Sequence, residues 1–290
     1  MCAERPLERT MQYRLKVLRR ALWTLFEDSG FSMAGAVAFS FVLSLFPFCI
    51  FLGALAGTIG GRDLAAYAIS QLFDAVPDPV AVALAPEVER VMGQSQYGLL
   101  TVGAAISLFF ATSAIESLRA ALNLAYRVKE SRSFLWCIAQ SSLFVFATAA
   151  GMLVMAWGVI VGPALAASSK STAVLWLVDH GLFSFGTRYA IVLAVITAQL
   201  MAYHTWLVAG RRSVREVWPG VLLSVVLWLL AASLYSTWLS ISNYSRFYAG
   251  LTQLLSALIF FQVTGMIVIL GAEFNRALAE ARRISAAQPS

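Results

Sequence analysis

Apolar stretches without a single charge recur six times along this 290-residue chain, with short polar segments between them. The first lies between Asp28 and Arg62, with Pro47 near its middle, and the second between Arg90 and Glu116. The third runs from Ser133 to Ser169, and the fourth lies between Arg188 and Arg211. The fifth separates Glu216 from Arg246, and the sixth separates Arg246 from Glu273. Each exceeds the roughly 20 residues that a helix needs to cross about 30 Å of hydrocarbon. The first and third are longer still, so they tilt, bend or extend beyond the lipid core. The sixth closes on Leu270-Gly-Ala-Glu-Phe-Asn275, which reads as a spanning helix meeting water at Glu273. Ahead of them, Leu15, Leu18, Leu22 and Phe26 recur at helical spacing among Arg5, Arg9, Arg14, Lys16, Arg19 and Arg20. That pattern predicts an amphipathic helix lying on a membrane face.

The prediction is an all-α, polytopic membrane protein with six transmembrane helices. Residues 1–28 form its basic amphipathic lead, 29–277 the transmembrane domain and 278–290 a tail. Residues 62–96, with Asp63, Asp74, Asp78, Glu87 and Glu89 broken by Pro77, Pro79 and Pro86, read as short helices on the outer face. No internal sequence repeat is visible.

Composition fits this picture: 60% of residues are hydrophobic and 12% charged, against about 45–50% and 25% in soluble domains. The net charge of +6 sits in short clusters between apolar runs, the distribution of cytoplasmic loops rather than of a nucleic-acid surface. Sixteen of the 21 Lys and Arg residues fall in the lead, the turns after spans two and four, and the tail; five fall on the other side. This bias predicts cytoplasmic termini, in keeping with an even number of spans. The lipid bilayer is the expected partner, with room for membrane-protein partners or a homo-oligomer, and no nucleic acid is expected. The spacings Gly53-x-x-x-Gly57-x-x-x-Gly61 and Gly158-x-x-x-Gly162 allow close helix approach, within the chain or between copies. Cys2, Cys49 and Cys137 have no metal or redox spacing and read as packing residues.

Candidate chemistry lies in polar residues inside the spans, where they cost free energy unless they face protein or a wet cavity. At 100° per residue, Thr101, Thr112, Glu116, Arg119 and Asn123 share one arc of span two. Glu116 and Arg119 are spaced to pair, either as an anchor at the membrane boundary or as a charged lining on a substrate path. In span one Pro47 removes a backbone hydrogen bond, and Ser44 stands near enough to satisfy the disturbed ladder. Span six carries Gln253 and Ser256 on one face and Gln262 opposite, as helix glue or as ligand contacts. His180 and His204 form no ligand pattern. No catalytic triad, phosphate loop, metal site or cofactor motif is readable, so enzyme activity is not expected.

Several motifs resemble a known family. Ala34-Gly-Ala-Val-Ala-Phe39 with Ser44-Leu-Phe-Pro47 is similar to the first-span signature of the YihY/BrkB proteins. Ala121-Leu-Asn123 with Tyr126-Arg127 is similar to their second-span ending, Pro219-Gly220 to the start of the fifth span, and Leu270-Gly-Ala-Glu273 with Asn275 to the close of the sixth. The resemblance covers residues 15–285 and implies a six-helix protein of the bacterial cytoplasmic membrane. Some members have carried a ribonuclease label, which implies a metal site of clustered His and Asp ligands; two scattered histidines do not supply one. The leading expectation is therefore a transporter or exporter of a small or lipid-like substrate. Ser44, Pro47, Glu116, Arg119, Asn123, Gln253 and Glu273 would form its polar path and hinge. The alternative is a non-transporting scaffold for envelope assembly.

Overall fold

The computed structural model describes residues 6–44, 47, 97–156, 185–241 and 251–287. Among the described residues every regular element is helical: α1 (Pro6–Glu27), α2 (Gly30–Ser44), α3 (Tyr97–Ala125), α4 (Phe134–Ala156), α5 (Phe185–Ala202), α6 (Val214–Ile241) and α7 (Leu251–Ala287). A single π turn, Tyr203–Leu207, continues α5. Five segments are long and apolar enough to cross a bilayer: Thr101–Ala125, Phe134–Gly151, Tyr189–Leu207, Val214–Tyr235 and Leu255–Ile284. They correspond to the second through sixth apolar runs. The shorter apolar α2 opens the first run, whose remainder lies outside the described residues, as do segment 62–96, both Gly-x-x-x-Gly spacings, His180, Cys2 and Cys49. Phe109, Phe134, Leu143, Phe146 and Leu234 are all exposed, as expected of side chains whose solvent is hydrocarbon.

Local chemistry sets the helix ends. Arg127 at the end of α3 has φ 55°. The Arg127 amide donates to Leu124 O and the Val128 amide to Asn123 O, both at 2.9 Å. This is a Schellman cap with arginine in the left-handed position that glycine usually takes. At the start of α6 the Glu216 carboxylate accepts from the Ser213 amide at 3.0 Å, the return half of a capping box.

The chain divides into two compact units. One comprises residues 26–121 and 228–269. Its α2 and α7 run close together: a Cβ on Gly265 would stand 3.3 Å from Ala34 Cα, and Phe41 stacks on Phe261 with ring centroids 4.5 Å apart. Gln262 faces Gly35 in this seam, consistent with a polar side chain used as helix glue. The other unit comprises residues 1–25, 122–227 and 270–290. It buries Leu25, Leu122, Leu207, Val217 and Val221 together with Asn123, His204, Glu273 and Asn275.

Candidate functional site

The Schellman cap delivers Tyr126 to the end of α3, where three other segments meet it. Its hydroxyl lies 2.9 Å from His204 Nδ1 and accepts from Asn275 Nδ2 at 3.0 Å. The Arg212 guanidinium sits 4.0 Å above the ring centre and also donates to Ala209 O. The Asn275 amide is oriented without ambiguity: its Oδ1 accepts from the Gly220 amide at 2.6 Å and its Nδ2 donates to Val217 O at 2.9 Å. Pro219 explains why α6 needs that partner. Proline has no amide and disturbs the ladder around it, and the next amide, that of Gly220, turns to a side chain of α7.

The bond between Tyr126 and His204 takes its proton from either the Tyr126 hydroxyl or His204 Nδ1, because a hydroxyl oxygen that accepts from Asn275 keeps a second lone pair. His204 is fully buried, and its Nε2 has no hydrogen-bond partner among the described residues. Burial pushes the Tyr126 hydroxyl up to about 12, opposed by Asn275 and by the Arg212 charge. It therefore stays protonated across the physiological range. Burial also lowers Arg212 from its ordinary value.

A second set of bonds closes the same unit. Asn123 Oδ1 accepts from the Ala209 amide at 2.8 Å, and its Nδ2 donates to Glu130 Oε2 at 3.1 Å. Arg132 grips Glu130 with Nε at 2.7 Å and Nη2 at 2.6 Å, and Nη2 also reaches Leu207 O. Leu207 ends the π turn, so Arg132 and Gln140, which donates to Trp206 O, supply donors where the α-helical ladder stops. Deeper in the spans, Gln199 donates to Tyr203, whose hydroxyl meets Thr148 at 2.9 Å. That triad joins α4 to the end of α5 as interhelical glue.

Glu130 gives a pH prediction. Arg132 hydrogen bonds, helped by Asn123 and opposed by desolvation, pull its carboxyl from 4.5 down to about 2. A carboxylate with a lowered folded-state value contributes stability above its unfolded value, and that contribution is lost as pH falls through the folded one. The native protein is expected to lose melting temperature between about pH 4.5 and about 2, and Glu130→Gln to lose less over that window. Parallel melting curves for the two proteins would refute the assignment.

The residues singled out from sequence are placed as follows. Glu116 accepts two bonds from Arg119 Nη1, at 3.0 and 3.1 Å. Arg119 is buried, while the Glu116 side chain is 33% exposed. Both belong to the unit of residues 26–121 and 228–269, as does Ser44. Ser44 is buried and donates to Phe41 O at 2.7 Å, not to the Leu43 carbonyl that Pro47 would free. Pro47 is helical and half-buried. Asn123 and Glu273 belong to the other unit, and Asn123 links the Ala209 amide to the Glu130 carboxylate. Gln253 lies in the first turn of α7, its side chain outside the described residues. Glu273 is enclosed by protein rather than facing solvent. It is fully buried, held by Arg276 at 2.9 Å, and α7 continues for four further turns. The partner one turn on lets the helix carry an acid inward. Arg276 also approaches Glu280 at 3.5 Å, and Glu280 binds Arg20 of α1 at 2.9 Å. These charges step along one face from the interior to the surface.

Sequence reasoning did not assemble Tyr126, His204, Asn275 and Arg212, nor Glu130 with Arg132. The available signal was topological. Six spans in sequence would bring the ends of spans two, four and six and the start of span five to one face, and each carries one of these polar residues. Among the described residues no three His, Cys, Asp or Glu side chains gather as a metal site would require.

A family model described as virulence factor BrkB matches residues 22–290. The chain is also 26% identical over 276 residues to the ribonuclease-like protein YfkH of Bacillus subtilis (strain 168), covering 92% of this chain and 96% of that protein. No solved structure matches.

Proposed function

Since the chain belongs to the virulence factor BrkB family, we propose that it is a six-span protein of the bacterial cytoplasmic membrane that transports or exports a small or lipid-like substrate. Both termini face the cytoplasm in this reading, which the Lys and Arg distribution supports. The observation that carries transport is the Arg119–Glu116 pair inside a span. Arg119 is 2% exposed, and the side chain of its partner Glu116 is 33% exposed. Charges at membrane depth are costly and are found on ion or substrate routes. In this reading Glu116 and Arg119 exchange partners as substrate passes, Pro47 is a hinge, Gln253 a polar contact, and Glu273 a buried acid whose charge Arg276 balances.

Glu116→Gln, Arg119→Gln and Glu273→Gln test the assignment in cells that depend on the protein. Each is expected to lower activity at least about tenfold. Removing one partner leaves the other charge uncompensated and costs stability, so folded protein is quantified alongside. The exchanged pair Glu116→Arg with Arg119→Glu separates the roles. A path-lining pair regains stability without activity, whereas a structural anchor regains both. Full activity in all three single variants removes these residues from transport.

The scaffold reading keeps one observation in its favour: Asn123, Asn275 and Arg132 bond to backbone groups of other segments, which is how structural glue behaves. Crosslinking that traps a defined partner, with loss of the phenotype when that contact is lost, would favour it. The name of the Bacillus relative raises a nuclease reading. We propose that this chain is not an enzyme, and expect no RNA cleavage by purified protein with or without divalent metal.

A further inference from the structure

We propose that the outward flank of α1 is a binding surface for anionic phospholipid headgroups. Between Lys16 and Glu27 the helix has three sectors. Val17, Ala21, Thr24 and Leu25 are buried and hold α1 against the protein. Next to them, Leu22, Phe26 and Trp23 are exposed, Trp23 at 68% and Phe26 at 64%. Lys16 and Arg19 lie on the exposed arc, with exposed Glu27 at its Lys16 edge, Arg19 falling between Phe26 and Trp23 at 100° per residue. An exposed tryptophan and phenylalanine beside cations are the side chains of a helix seated in the headgroup layer. The apolar rings enter the acyl boundary, while the stems of Lys16 and Arg19 run along them and lift their charges to the phosphates.

Charge selects the occupant. Helix α1 carries five basic and two acidic residues. Arg20 is committed to Glu280, whereas Lys16 and Arg19 have no ion-pair partner among the described residues. The Arg20–Glu280 bridge also brings the end of α7 alongside, and there Arg282 and Arg283 are exposed. Arg283 lies one turn beyond Glu280 on the same face, so cations from two helices converge. A second protein copy would meet this same positive charge and be repelled, whereas an anionic lipid neutralises it.

The test is native mass spectrometry of the full-length protein in detergent micelles, titrated with phosphatidylglycerol or phosphatidylcholine. The native chain is expected to retain phosphatidylglycerol preferentially. Lys16→Gln with Arg19→Gln should reduce that preference about thirtyfold, from the usual contribution of each surface cation. The charge-keeping exchange Lys16→Arg with Arg19→Lys should preserve it, as should Arg211→Gln with Arg215→Gln, which neutralises exposed cations outside α1. Equal retention of the two lipids overturns the proposal. So does a preference that survives loss of Lys16 and Arg19, or a dimer mass that appears in place of bound lipid.

Discussion

Gly220→Ala is expected to destabilise the protein by at least about 3 kcal/mol, unfolding it at much lower denaturant in mixed micelles. A Cβ at this position would press into the Gly271 carbonyl oxygen and stand 2.5 Å from Asn275 Nδ2 and 2.6 Å from its Cγ. The approach is reciprocal, because a Cβ on Gly271 would meet Ser224 Oγ and lie 2.9 Å from Gly220 O. Backbone atoms cannot swing aside as a side-chain tip can, so α6 and α7 must separate. Overpacking alone costs about 1–3 kcal/mol. Separation also breaks the Asn275 bonds to Gly220 and Val217, at about 1 kcal/mol each. Gly186→Ala is the control: nothing stands within 4 Å of its Cβ position, and alanine favours the helix by up to about 1 kcal/mol. Near-equal stability of Gly220→Ala and Gly186→Ala would refute the close contact.

Asn275→Leu should be comparably damaging although leucine keeps the number and branching of the side-chain heavy atoms. One amide serves Gly220 N, Val217 O and the Tyr126 hydroxyl. Leucine leaves a buried amide hydrogen next to Pro219 without an acceptor, and each such unsatisfied group costs about 1–3 kcal/mol. The loss is expected to total about 3 kcal/mol. Asn275→Asp separates the contributions, since it retains an acceptor for Gly220 but removes the donor for Val217. Combining Asn275→Leu with Tyr126→Phe should give less than the sum of the two losses by roughly 1 kcal/mol, because the two residues share a bond. Additive losses would show that Tyr126 and Asn275 are not coupled.

Much of the helical architecture was legible in the sequence, because spanning helices need only length and apolarity. The charged limits of the runs were less faithful. The second run stops at Glu116, yet the span continues to Ala125, since Arg119 sits one turn on and pairs with the acid. Likewise the helix does not stop at Glu273 but runs on to Ala287, with Arg276 one turn on pairing with the acid. Helical arithmetic placed Glu116 and Arg119 on one face correctly, as both lie on one helix. It could not join Tyr126, His204 and Asn275, which lie on separate elements whose rotation and register only packing determines. The Gly220–Gly271 contact was hidden likewise: small-residue spacings within one run are visible, whereas a glycine pair across two helices has no spacing to detect.

The most direct test of transport is flux through liposomes containing the purified full-length protein, with labelled phospholipids and small ions supplied in turn. Transport predicts protein-dependent movement of at least one of them, abolished by Glu116→Gln in folded protein. No movement above empty liposomes for any of them, or movement that Glu116→Gln leaves intact, would contradict a substrate route past the Arg119–Glu116 pair.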